Sequence, residues 1–447
     1  SVNMGGGNSA VRLSLALLCV ALRTQAVPPA ALLAAGPVTG PACAAKQPDA
    51  GLYICEGYVQ PGPTWKPAAA CKRAKSADRF LSPLSASPLI DESTAVRRSF
   101  LMAVPSSYNA SIPASLVILC PDTGRSPMDS LLDAALATSQ RFGTLLLVLD
   151  GVNHAFNVHR DAQPDANGED DVAYAYAALR YLYSIAACID PRRIFCAGYS
   201  RGGRFCAQLA SELSEVIAAI APVASLRFPM PNNATRPISV IAFHGTKDPI
   251  NPYDGGGGAY WSTGVLDAYQ SWALFNCCAT PEPTIYVQKK VAMQQFSNCK
   301  ESSAVVLFTL EGMGHVWPGP FGYNWVKAVG PPFPAFNANA QINSFFQKHP
   351  LPEQFGDAAR KALEPPPPPL GSRSARHRRS HSHSRGQLRS EGPAPSTIAL
   401  AQRQQSQQHV VIAASAASLV LFLVSLESLR RRRALAKPSQ RGTISLL

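Results

Sequence analysis

From residue 115 to residue 349 the chain alternates short apolar runs with longer segments whose apolar residues recur at helical spacing. SLVILC (115–120), TLLLVLD (144–150), RIFCAG (193–198), PISVIAFHG (237–245) and SAVVLFTLEG (303–312) read as strands. Between and after them, DDVAYAYAALRYLYSIAACI (170–189), RFCAQLASELSEVIAAI (204–220), VLDAYQSWALFN (265–276) and NAQINSFFQKH (338–349) read as helices. Strands that are apolar on both faces need cover on both faces, and intervening helices supply it. The pattern therefore predicts an α/β fold: a mostly parallel sheet with helices on both sides.

The two ends differ from this body. The formal net charge is +13, yet residues 48–352 hold 23 Lys/Arg and 23 Asp/Glu, so the basic excess sits in the ends. A nucleic-acid binder carries its charge on a folded face, and a neutral body with basic tails argues against that class. Arg12, the apolar run LSLALLCVAL (13–22) and the small residue Ala26 match a secretory signal over residues 4–26. Residues 351–408, rich in Pro, Ser, Arg and His, have too few large apolar residues to fold and read as a disordered spacer. VVIAASAASLVLFLVSL (410–426) lacks charge and precedes four arginines (430–433). That predicts a transmembrane helix over 409–429 with a basic cytoplasmic tail, 430–447.

The expectation is thus a single-pass type I membrane protein with an extracellular body at the cell surface. Eleven cysteines, ten once Cys19 leaves with the signal, suit an oxidising compartment. Asn109 and Asn233 head glycosylation triplets. Residues 27–94, with Cys43, Cys55 and Cys71, read as a small disulfide-closed extension or a pro-segment.

One junction in the body carries chemistry. FCAGYSRGGRF (195–205) passes from strand to helix through Gly198-Tyr199-Ser200-Arg201-Gly202. A Gly-X-Ser-X-Gly turn at such a junction is a nucleophile elbow, with the serine hydroxyl projecting above the sheet. The N–H of Arg201 then faces the site where an oxyanion forms. A base and an acid should follow in the order serine, acid, histidine. Between Ser200 and the spacer stand His244, His315 and His349. His315 lies in the Gly-rich stretch EGMGHVWPG, just past a strand, where it can reach over the sheet edge, whereas His244 lies inside the end of a strand. Asp248 follows strand 237–243 and is the candidate acid, with Asp254 as its rival.

These stretches resemble a known family. DGVNHAFNVHRD (150–161), DDVAYAYAALRYL (170–182), residues 189–225, HGTKDPINPYDGG (244–256) and EGMGHVWPG (311–319) are similar to secreted α/β-hydrolases. That family includes polyhydroxybutyrate depolymerases, feruloyl esterases and acetylxylan esterases. The resemblance covers residues 95–350 and implies an α/β-hydrolase catalytic domain. It lays the family triad on Ser200, Asp248 and His315, the oxyanion donors on Arg201 and Thr123, and a disulfide on Cys278 and Cys299, with Cys277 competing. Tyr199 and Trp317, beside the nucleophile and the base, are candidate pocket residues.

In one place the chain departs from the family. Pro121-Asp122 stands where family members usually carry His-Gly, and a carboxylate beside an oxyanion is unfavourable unless it turns away. The implied function is carboxylic-ester hydrolysis through an acyl-enzyme, on an esterified polymer or polysaccharide ester, with no metal or cofactor. The alternative is a membrane-anchored binding protein on a weakened hydrolase scaffold.

Overall fold

A computed structural model describes residues 51–60, 64–67, 72–73, 96–109, 111–123, 128–158, 170–184, 188–320 and 326–364. The expected signal, most of the spacer, the apolar run 410–426 and the arginine block lie outside them. No helix among the described residues is long and apolar enough to cross a membrane.

Twelve described strands form one sheet. Its centre is six parallel strands, in spatial order β12 (Val305–Leu310), β9 (Ser239–Gly245), β8 (Ala219–Val223), β7 (Ile189–Tyr199), β5 (Ala114–Cys120) and β6 (Leu145–Leu149). Most of them are joined through helices, the crossover that parallel neighbours require, while β8 runs to β9 through a long connection without one. Antiparallel strands extend both sides. β11 (Val291–Phe296) and β10 (Ile285–Gln288) follow β12, while β4 (Val96–Val104), β1 (Gly51–Gln60) and β2 (Thr64–Pro67) follow β6. β3 (Lys72–Arg73) pairs with β1. Part of the unassigned stretch 27–94 is therefore sheet: β1 pairs with β4 along nine residues, and Cys55 is buried in the core.

Alternating side chains serve two cores. Leu116, Ile118 and Cys120 of β5 join one face, and Leu119 the other. The first face is covered by α2 (Asp171–Ser184), α3 (Arg201–Glu212) and α4 (Val265–Phe275), through Tyr174, Phe205 and Trp272. The second carries α6 (Ala338–Lys348), through Ile342 and Phe346, and α1 (Met128–Phe142), whose Ala135 and Leu136 pack against it. A four-residue helix, α5 (Val326–Val329), precedes α6, and α7 (Gly356–Leu363) closes the described chain. The expected spacer therefore does not begin at residue 351: Leu351, Ala359 and Leu363 are buried in the two cores, enough apolar surface to hold this stretch folded.

The helix expected over 204–220 ends early. It starts at Arg201 and stops at Glu212, and Ala219–Val223 is the buried strand β8 between β7 and β9. An apolar run that continues a helical pattern cannot be told from a buried strand by periodicity alone. Pairing on both sides settles it.

The chain reverses direction across the sheet at β5. It steps outward to β6, then returns to lay β7 on the other flank of β5. In open parallel sheets, the crevice beyond the strand ends at such a reversal holds the ligand. Asp122 and Thr123 follow β5 there, and Ser200 follows β7.

Candidate active site

Ser200 sits between β7 and α3 with φ 53° and ψ −120°. A positive φ on a serine is strained and persists only where the surroundings impose it. Its N–H donates to the Val223 carbonyl at 3.0 Å, and its own carbonyl accepts from Gly203 N–H and Arg204 N–H. The flanking glycines have a steric reason. A Cβ on Gly198 would stand 2.4 Å from the Gly202 carbonyl oxygen, and one on Gly202 would stand 2.0 Å from that of Cys120. Strand, helix and the end of β5 meet backbone to backbone, and only glycine leaves room.

The histidine and the acid arrive from the neighbouring strand ends. His315 lies beyond β12, and its Nε2 is 2.8 Å from Ser200 Oγ. Its Nδ1 is 2.8 Å from Asp248 Oδ2. Asp248 follows β9, and its Oδ1 accepts the N–H groups of Ile250 (2.9 Å) and Asn251 (2.8 Å). All three side chains are buried. Burial alone would raise the pKa of Asp248, but hydrogen bonds from His244 and His315, together with their charge, outweigh it and bring it to about 2. Asp248 is thus an anion throughout the neutral range. Asp254, the rival acid, is exposed, and the His349 ring lies tilted against Phe345.

A cavity of about 410 Å³ opens above the serine, and Asp122, Thr123, Arg201, Arg204 and Tyr260 are among its walls. Tyr199 and Trp317, expected there, do not line it. Both are buried: Tyr199 donates its hydroxyl to the His315 carbonyl (2.7 Å), and the Trp317 indole N–H reaches Asn339 Oδ1 (2.8 Å). Alternation at the end of β7 turns Tyr199 to the core side, where it holds the His315 carbonyl, and Trp317 lies in the loop past β12. The sequence missed His244, whose Nε2 lies 3.3 Å from Asp248 Oδ2. The spacing His-Gly-Thr-Lys-Asp was its only signal.

At the position expected for an oxyanion, Asp122 does not turn away. Its Oδ1 accepts the Arg201 N–H at 3.4 Å, the bond an oxyanion would need. Thr123 is exposed beside it. A hydrogen bond to a carboxylate at this length contributes about 1 kcal/mol, about fivefold in rate if chemistry requires breaking it. Replacing the pair by Pro121→His with Asp122→Gly should therefore raise kcat on a simple ester about fivefold. Stopped-flow turnover of a 4-nitrophenyl ester measures it, and a slower, folded double variant would make Pro121-Asp122 part of the working site.

Cys278 and Cys299 form a disulfide, the pairing the resemblance implied. A second bridge, Cys196–Cys206, was not anticipated: it ties β7 to α3 across the elbow. Cys55, Cys188 and Cys277 are also disulfide-bonded. Cys120 is the free cysteine among the described residues, and burial raises its thiol well above the usual range. Its sulfur lies 3.6 Å from that of Cys196. Cys120, Cys196 and Cys206 are also the one grouping with metal-ligand spacing among the described residues, and two of these sulfurs are already joined. Asn109 and Asn233 are both exposed; Asn109 Oδ1 accepts from Ser111 N–H, and Asn233 Nδ2 donates to Glu212.

No family model matches the chain. Among curated proteins it is similar to feruloyl esterase B of Piromyces equi, 29% identical over 205 residues, 42% of this chain and 37% of that protein. It is also similar to a Nocardia uniformis protein carrying the esterase name NocK, 26% identical over 299 residues, 59% of this chain and 86% of that one. The chain thus spans little more than a third of the feruloyl esterase. Among solved structures, an acetyl xylan esterase from Aspergillus awamori overlaps 56% of this chain and 93% of its own, at 14% identity and a TM-score of 0.39. The likeness to esterases read from the sequence stretches is borne out by the two curated relatives.

Proposed function

We propose that this protein is a carboxylic-ester hydrolase that works through a Ser200 acyl-enzyme. The observation that carries the reading is the unbroken run Ser200 Oγ–His315–Asp248, 2.8 Å at each step, beneath a strained elbow. Geometry of this kind is what proton removal from a serine needs. His315 Nε2 takes the hydroxyl proton as Ser200 Oγ attacks the ester carbonyl. The carbonyl electron pair moves to oxygen, which the Arg201 N–H holds once Asp122 has left it, with the Thr123 N–H as second donor. Collapse expels the alcohol, protonated by His315. Water, deprotonated by the same histidine, then releases the acid. Asp248 stays ionised and holds the imidazolium.

The names of the relatives favour feruloyl or acetyl esters of polysaccharide as substrates, with an esterified polymer as the wider class. The contact of Asp122 with Arg201 favours a second reading, a binding protein on an attenuated hydrolase scaffold. A fluorophosphonate probe separates the two. Labelling of Ser200 together with hydrolysis of 4-nitrophenyl esters supports the enzyme, and a folded protein that does neither supports the binder.

The apolar run 410–426 and the arginines 430–433 support a tethered placement, with the body outside the cell and the tail in the cytoplasm. Protease applied to intact cells should release the body and leave the tail protected. A body that resists until the plasma membrane is permeabilised would reverse this topology.

A further inference from the structure

Asp248 is shared between two histidines. His244, on β9, is fully buried, stacked against Trp261 (ring centroids 5.6 Å apart) and edge-on to Tyr253. Its Nε2 lies 2.8 Å from the Asn251 carbonyl oxygen and 3.3 Å from Asp248 Oδ2. A carbonyl can only accept, so Nε2 carries the hydrogen. That one N–H reaches both the carboxylate and the far end of the turn whose amides hold the other carboxylate oxygen. Nδ1 of the same ring is buried and has no hydrogen-bond partner among the described residues. A residue kept for packing alone would not carry that cost, since an apolar side chain would fill the same space without it.

We propose that His244 is a positioning residue for the base. It closes the Asp248–Asn251 turn and fixes Asp248 Oδ2, so that the carboxylate meets His315 Nδ1 as an anion in one orientation. Asp248 Oδ2 then faces two donors. His315 Nδ1–H is the one that strengthens when His315 takes the serine proton. His244 Nε2–H holds part of the charge in the resting state. Among the described residues, the ionisable groups acting on Asp248 are these two histidines.

The sign of the pH effect follows. Without the His244 N–H, the full carboxylate charge falls on His315, which then holds its proton more tightly. The acid limb of the pH–rate profile moves to higher pH. The orientation of Asp248 is also loosened, so kcat falls while ground-state binding, made in the cavity above, is left alone.

The kinetic arm of the test rests on the ester-hydrolase reading. His244→Leu in the full chain should lower kcat about 10- to 100-fold with KM within twofold. It should also raise the acid limb by about half a pH unit or more. His244→Gln, which keeps an N–H donor, should recover most of both. Wild-type kcat and pH profile in His244→Leu would overturn the proposal, as would a loss that His244→Gln does not recover. Should His244→Leu fail to fold, His244→Phe keeps a ring against Trp261 and takes its place.

A second arm needs no turnover. In Ser200→Ala protein, the His315 Nδ1–H proton should give a low-field resonance that shifts or broadens on removal of the His244 donor. An unchanged resonance refutes the positioning role. A changed one in a protein that hydrolyses no ester would retire the hydrolase reading and leave the role of His244 standing.

Discussion

Ser200→Ala should abolish ester hydrolysis and leave the fold intact. The substitution removes the attacking oxygen and nothing that supports the elbow. The bonds made by Ser200 N–H and C=O belong to the backbone and survive. The side chain contributes one hydrogen bond, to His315. A loss of about 10⁴- to 10⁶-fold in kcat is expected, because nucleophile and base act as one unit. For the same reason, Ser200→Ala with His315→Ala should be little slower than either single variant. The melting temperature should stay within about 4 °C of wild type, the shift expected for about 1 kcal/mol in a domain of this size. Turnover of a 4-nitrophenyl ester and a thermal melt measure the two quantities. Undiminished turnover in folded Ser200→Ala would end the esterase reading.

The second large effect is expected from Asp248→Asn, and its cause is a tautomer. Oδ1 of Asp248 is held by two backbone N–H groups, so the amide oxygen of the replacement keeps that place. The amide NH₂ then takes the position of Oδ2 and faces His315 Nδ1. Two donors cannot face each other. His315 must accept at Nδ1 and carry its hydrogen on Nε2, opposite Ser200 Oγ. A base that already holds a proton there cannot take the serine's. A fall of about 10⁴-fold in kcat follows, with KM little changed, as the cavity walls are untouched. A variant with near-wild-type kcat would mean that His315 does not depend on Asp248 for its tautomer. Steady-state kinetics on one chromogenic ester measures it.

Much of this site was legible in the sequence because its geometry is local. Gly198 to Gly202 is a five-residue turn between a strand and a helix, and steric limits on backbone approach leave few alternatives to glycine there. Asp248 and His315 each lie just past an apolar strand, and parallel strands deliver their ends to one edge of a sheet. Strand–helix alternation marked five of the six central strands on the same grounds. The antiparallel flanks were not legible. Strands β1, β10 and β11 carry no crossover helix to announce them, and β8 continues an apolar pattern begun by a helix.

What only the tertiary structure decided are the contacts between residues distant in sequence, or on one strand but facing different ways. Tyr199 looked like a pocket residue by adjacency to Ser200, but the pleat turns it into the core under His315. Cys196 and Cys206 are brought side by side by the reversal at the elbow, and Cys120 joins them from β5. Asp122 meets Arg201 because β5 and β7 are neighbours across the sheet's reversal point. His244 meets Asp248 because the turn after β9 folds back over the strand's last residues. Residue types and spacing determined which groups this chain brings to the edge of its sheet, since strand direction alone delivers them there. Which of them hydrogen-bond to one another depends on ångström-scale packing between strands, and that exists only once the sheet has formed.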